Sequence, residues 1–149
     1  MNNRVPYLKT IFLTIALMGF YCQHSAQTNP ICKEVNLGDY TIDGQSYTLT
    51  FDEKPQVSIY LVFFHGFDYR LHFCSPHIKK YRITLYDIEK KVLFSEFCQD
   101  NEKSLEFRFD SNLAAIIEIS QLVEKEGRIT PGDIRITVGF KENKQVQFK

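Results

Sequence analysis

From about residue 39 onward, apolar and polar residues alternate with a period of two, the pattern of strands whose side chains point in turn to the two faces of a sheet. In "YTIDGQSYTLTF", Tyr47, Leu49 and Phe51 alternate with Thr48 and Thr50, and Asp43-Gly44 predicts a tight hairpin turn joining two strands. After Pro55 the run "QVSIYLVFF" is almost wholly apolar, which predicts a strand covered on both faces or one lying at an interface; Gly66 ends it. Tyr69, Leu71 and Phe73 alternate with Arg70 and His72, and Tyr81, Ile83 and Leu85 with Arg82 and Thr84. "KVLFSEF" follows the turn "DIEKK", and these three segments are expected to form an antiparallel meander. Leu105, Phe107 and Phe109, and later Ile134, Ile136, Val138 and Phe140, repeat the pattern.

One segment reads two ways. "SNLAAIIEISQLVEKEG" fits a helix capped by Ser111 and closed by Gly127, with Leu113, Ile116, Ile117 and Val123 near one face. Its core Ile116-Ile117-Glu118-Ile119 is β-branched and also alternates, which favours a strand. Short strands at intervals of roughly ten residues predict an all-β fold, a single antiparallel β-sandwich of about seven to nine strands.

The first 26 residues do not share this pattern. Arg4 and Lys9, with no acid, precede the apolar run from Ile11 to Phe20, and His24-Ser25-Ala26-Gln27 follows. That order is the order of a secretory signal peptide, with cleavage expected after Ala26. The apolar run is about half of the roughly 20 residues that a membrane-spanning helix needs, so no permanent span is expected. The chain thus divides into a signal peptide (1–26), a flexible N-terminal segment (27–38) and a β-sandwich domain (39–149), placed outside the cytoplasm. Removing residues 1–26 takes away two of 18 cations and none of 18 anions. The near-neutral balance, with no basic run among aromatics, argues against nucleic acid as a partner.

The stretches "GFDYRLHFC", "YRITLYDIEKKVLF", "LEFRFDSNLAAIIEIS" and "GDIRITVGF", in that order, resemble the small secreted β-sandwich proteins of Gram-negative bacteria. The layout is also similar to the bacterial pre-peptidase C-terminal sandwich, a non-catalytic module attached to secreted hydrolases. The resemblance spans about residues 56 to 141, and Leu85-Tyr86-Asp87 marks the strand end such modules share. It implies a periplasmic or secreted protein. Lys79-Lys80-Tyr81-Arg82 stands where those modules often carry acidic residues, so no calcium ligand is carried over and no cofactor is expected.

Candidate chemistry gathers in "LHFCSPH". His72, Cys74 and His77, with Cys98 as a fourth donor, have the residue types of a zinc site, and His65, His72 or His77 beside Cys74 or Cys98 those of a nucleophile pair. On a strand, however, only His72 and Cys74 share a face, and in an exported chain cysteines usually meet oxidants before metal. Cys74 and Cys98 are therefore expected to form a disulfide, since a meander finishes both strands at the same end. Two strand spacings exceed the reach of a disulfide unless the "CSPH" turn folds across, and Cys32 competes for either partner.

No nucleophile elbow and no paired-histidine zinc motif occurs. Tyr60, Phe64, Phe67 and Tyr86 fall on strand positions opposite to, or just beyond, those assigned to the core, and are the expected binding surface for a protein or glycan partner. The function this supports is a secreted, non-enzymatic binding or scaffolding module. The alternative is a small extracytoplasmic hydrolase or metal-dependent enzyme using His72, His77 and a cysteine.

Overall fold

Eight strands form two stacked four-stranded sheets, and no α-helix occurs among the described residues. The structure, a computed structural model, describes Cys32 and residues 35–122 and 128–144. The signal-peptide reading of residues 1–26 lies outside them. The strands are β1 (Thr41–Phe51), β2 (Gln56–Phe63), β3 (Phe67–Cys74), β4 (Tyr81–Asp87), β5 (Val92–Cys98), β6 (Glu102–Arg108), β7 (Leu113–Gln121) and β8 (Gly132–Glu142). One sheet has the order β1-β8-β3-β6 and the other β2-β7-β4-β5, with every pairing antiparallel. The expected β-sandwich is therefore the fold.

The alternation assigns faces as the side-chain period requires. Phe51, Leu71, Phe73, Leu105, Ile134 and Ile136 of the first sheet meet Leu61, Phe63, Tyr81, Ile83, Leu85, Ala115, Ile117 and Ile119 of the second in one core. Through it runs a line of seven rings: Phe140, Phe67, Tyr69, Phe63, Phe109, Phe107 and Phe94, each 4.9 to 6.4 Å from the next. Most neighbours along it meet edge-on or tilted, arrangements that aromatic quadrupoles favour. The ambiguous segment is a strand. β7 lies centrally between β2 and β4, where Ala115, Ile117 and Ile119 all face inward, while residues 123–127 lie outside the described residues.

Three expectations are corrected. Asp43-Gly44 makes no hairpin: β1 runs straight through it, with Ile42 opposite Gly139 and Ser46 opposite Thr137, so the stretch is a bulge against β8. The positive φ of Gly44, 70°, bends a continuous strand instead of reversing it. The meander also fails. Only β4 and β5 are consecutive strands in one sheet; β3 pairs with β6 and β8, and the other connections all cross between sheets.

That crossing overturns the Cys74–Cys98 disulfide. Cys74 ends β3 on the outer face of the first sheet, whereas Cys98 ends β5 with its side chain in the core opposite Tyr81. Cys74 instead bonds the competitor Cys32, with Cα atoms 5.8 Å apart, well inside the reach of a disulfide. Cys98 keeps a free, buried thiol.

"CSPH" does not fold across an intervening strand; it is the corner between sheets. Ser75 is fully buried there, donates to the Asp133 carbonyl (2.7 Å) and receives the Ile78 amide on its hydroxyl oxygen (3.0 Å). The Asn101 side chain closes the corner by donating to the carbonyls of Ser75 (2.7 Å) and Pro76 (3.2 Å).

The N-terminal segment is tied to the outer face of the first sheet where it is described. Besides the disulfide, Arg70 Nη1 donates to the Leu37 carbonyl (2.7 Å), and Leu37 itself is buried. The Arg70 guanidinium and the Lys141 ammonium both lie over the Tyr40 ring, 4.2 and 4.3 Å from its centroid. Glu106 pairs with Arg70 and accepts from the Tyr40 hydroxyl (3.2 Å). Asp39 pairs with Lys141 (2.9 Å), and beside this cluster Asp68 pairs with Arg108 (2.6 Å).

Candidate functional site

A cleft of about 430 Å³ opens where β2, the edge of one sheet, meets β1, β8 and β3 of the other. Its walls are Tyr60, Leu61, Val62, Phe63 and Phe64 on one side and Tyr47, Phe67, Tyr69, Val138 and Phe140 on the other. Five consecutive residues of an extended chain cannot all present side chains to one space, because successive side chains point to opposite faces. The cleft therefore runs along the free edge of β2. There, backbone groups that have no neighbouring strand among the described residues stand beside aromatic rings. No charged side chain lines it among the described residues.

The corner that shapes the cleft is held at three points. The Tyr69 hydroxyl accepts from the Phe64 amide (2.7 Å) and faces the Phe64 carbonyl (3.4 Å), pinning the end of β2 to β3. The His65 amide donates to Asn112 Oδ1 (2.9 Å), and the Asn143 amide donates to the Gly66 carbonyl (2.8 Å). Gly66 takes a φ of 91°, a backbone region that L side chains rarely enter, so the return from β2 to β3 depends on glycine. With the backbone fixed, the Phe64 ring stays 55% exposed and Tyr60 56% exposed.

Three of the four residues expected to form a binding surface, Tyr60, Phe64 and Phe67, line this one cleft. Tyr86 does not. It lies on the outer face of the second sheet, in a row where Tyr60 stands opposite Ile116 and Ile116 opposite Tyr86, and its hydroxyl donates to Glu118 Oε1 (3.2 Å). Burial, and then the Glu118 carboxylate, raise the Tyr86 pKa above the ordinary phenol value. Asp87, the next residue, closes the β4–β5 turn: one carboxylate oxygen receives the amides of Glu89 and Lys91, both at 2.9 Å. β2 is not covered on both faces, because Tyr60 and Val62 stand exposed on the outer side. Tyr47, Tyr69, Val138 and Phe140 carried no sequence signal beyond inward alternation. That marks a core position without showing that the core opens there.

His72, His77 and a cysteine do not assemble. His77 is exposed in the corner after β3, with its Cβ beside Gly132. The donors that gather with His72 are Cys74 and Glu102, within 4.8 Å of one another, and Cys74 is engaged with Cys32. Half-burial lowers the His72 pKa, opposed by the Glu102 carboxylate, and its Nδ1 lies 2.9 Å from Ser104 Oγ. Cys98 lacks the surroundings of a nucleophile: burial first, then the Glu96 carboxylate, push its thiol pKa up, where a reactive cysteine needs it lowered. Its neighbour Tyr81 is also raised, mainly by burial, and the Tyr81 hydroxyl meets no nitrogen or oxygen partner among the described residues.

No protein-family model matches this chain, and no curated protein matches it. Among solved structures it is similar to the CBM36-1 domain of a multidomain xylanase from the hindgut metagenome of Trinervitermes trinervoides. The sequence identity is 15% and the TM-score 0.34, over 70% of this chain and 92% of that one.

Proposed function

We propose that this chain is a non-enzymatic binding module working outside the cytoplasm, and that the β2-edge cleft takes an uncharged ligand presented by a glycan or a partner protein. The cleft carries this reading. It combines exposed rings, an unpaired strand edge and no charged lining, and its volume falls in the range of ligand sites. Rings stack on the apolar face of a sugar or a peptide side chain, while the strand edge supplies hydrogen bonds to hydroxyls or to an extended backbone. The Tyr60, Ile116 and Tyr86 row continues the contact surface across the outer face of the sheet. The compartment is supported by the signal-like start of residues 1–26 and by the Cys32–Cys74 disulfide, a bond that persists in oxidising surroundings.

The experiment is a binding screen of the full chain against arrays of neutral oligosaccharides and of extended uncharged peptides, repeated with Tyr60→Ala and Phe64→Ala. Both rings are more than half exposed, so the variants are expected to fold while losing roughly tenfold in affinity each. A ligand held equally well by the double variant would remove the cleft from the function. Sequencing of the exported protein is expected to start near Gln27, and an intact Met1 start on that protein would count against the compartment.

A further inference from the structure

We propose that the Cys32–Cys74 disulfide masks a divalent-metal site, and that reduction opens it to a zinc-type cation held by Cys32, Cys74, His72 and Glu102. The arrangement follows from register. His72 and Cys74 stand two apart on the outer face of β3, and Glu102 of β6 lies directly opposite Cys74. One donor atom from each of these three lies within 4.8 Å of the others. Tetrahedral zinc, with bonds of about 2.0 to 2.3 Å, sets neighbouring donors about 3.3 to 3.8 Å apart. Cys74 Sγ and Glu102 Oε1 already stand 3.5 Å apart, so rotamer adjustment closes the set.

The fourth donor is delivered by the N-terminal segment. Cys32 is held beside Cys74 by more than its sulfur, because Arg135, opposite Cys74 on β8, donates from Nη1 to the Cys32 carbonyl (2.9 Å). Two thiolates and a carboxylate around a dication leave one negative charge, and the Arg135 guanidinium at this end of the sheet offsets it. Ser104 Oγ, 2.9 Å from His72 Nδ1, orients the ring as outer partners of ligating histidines do. In the oxidised chain only the imidazole and the carboxylate have strong donors to offer, which is two fewer than a closed zinc site needs.

The opening step balances with a dithiol reductant. The Cys32–Cys74 bond breaks, a disulfide forms in the reductant, and two electrons and two protons pass to the two cysteines. Metal binding then releases both thiol protons to solvent as two metal–sulfur bonds form.

The test uses the full exported chain, oxidised and after treatment with a water-soluble phosphine, which ends as the phosphine oxide with oxygen from water. Each form is titrated with Zn²⁺ against a chromophoric chelator, and with Co²⁺. The reduced form is expected to bind one Zn²⁺ per chain and to give thiolate-to-cobalt charge-transfer absorption, and the oxidised form neither. His72→Ala and Glu102→Gln are expected to weaken binding by at least roughly tenfold, whereas Cys98→Ser leaves it unchanged. Equal binding by both forms, or reduced-form binding that survives His72→Ala and disappears with Cys98→Ser, overturns the site. If reduction unfolds the chain, Zn²⁺ must restore the β-sheet circular dichroism, and failure to do so overturns it equally.

Discussion

Leu37 packs onto the bare backbone of Gly139: a Cβ at position 139 would lie 2.6 Å from Leu37 Cδ1 and 3.0 Å from Tyr40 Cβ. Gly139 sits inside β8, where glycine ordinarily weakens a strand, and here it marks the close approach of the N-terminal segment to the sheet. Leu37 is only 3% exposed, so its side chain has little room to withdraw. Gly139→Ala is expected to destabilise the fold by about 1 to 3 kcal/mol through overpacking. Leu37→Ala in the same chain removes the tighter of the two contacts, so the double variant loses less than the two single losses combined. Urea melts of the four proteins decide it, and strict additivity would mean that the two residues do not press on each other.

The ring line through the core predicts a sharp contrast between neighbouring surfaces. Phe63 is 1% exposed and touches both Tyr69 and Phe109, so Phe63→Ala is expected to cost roughly 3 to 5 kcal/mol. Arg108 faces outward, with its side chain 54% exposed and paired with Asp68, and Arg108→Ala is expected to cost at most about 1 kcal/mol. Comparable losses in denaturant melts would contradict the assignment of faces.

Cysteine mapping without reductant is expected to recover Cys32 linked to Cys74, and Cys98 as a thiol that alkylating reagents reach only when the chain unfolds. The bond spans a sequence separation of 42, for which the loop-entropy account gives about 4 kcal/mol. Cys32→Ser is therefore expected to lower stability by about 2 to 4 kcal/mol. Rapid alkylation of Cys98 in the folded protein would refute its placement in the core.

Acid destabilises this fold through its outer-face carboxylates. Hydrogen bonds from Arg108 to Asp68, from Arg70 to Glu106 and from Lys141 to Asp39 hold each carboxylate pKa below its usual range. A carboxyl group with a depressed folded-state pKa contributes stability above its unfolded value, near 4, and loses it as pH falls through the folded value. These pairs are solvent-facing, so the loss is modest and shrinks with added salt. Stability measured at about pH 5 and about pH 3 is expected to fall less in Asp68→Asn than in the parent. An identical fall in both would exclude the Asp68–Arg108 pair as a source.

Alternation along the chain was sufficient to read which segments are strands and which side chains face the core, because a strand's side-chain period is a local property of its backbone. It favoured a strand over a helix for the segment around Ile116-Ile117, and the central place of β7 decided for the strand. It also marked Tyr60 and Phe64 as apolar groups in excess of what one core face needs, but it misplaced Phe67, whose ring packs against the core beside Tyr69 and Phe140. Alternation carries no information about partners. Gly44 has the backbone freedom for either a turn or a bulge, and the pairing of both halves of β1 with β8, some 90 residues later in the chain, selects the bulge. The strand at Tyr81 alternates equally well whether its neighbour is β3 or β7, and pairing with β7 puts Cys74 and Cys98 in different sheets. Cys74 then meets Cys32, and β2 becomes an edge with a cleft along it. Those outcomes depend on contacts between residues far apart in the chain, which are settled when two sheets close over one core.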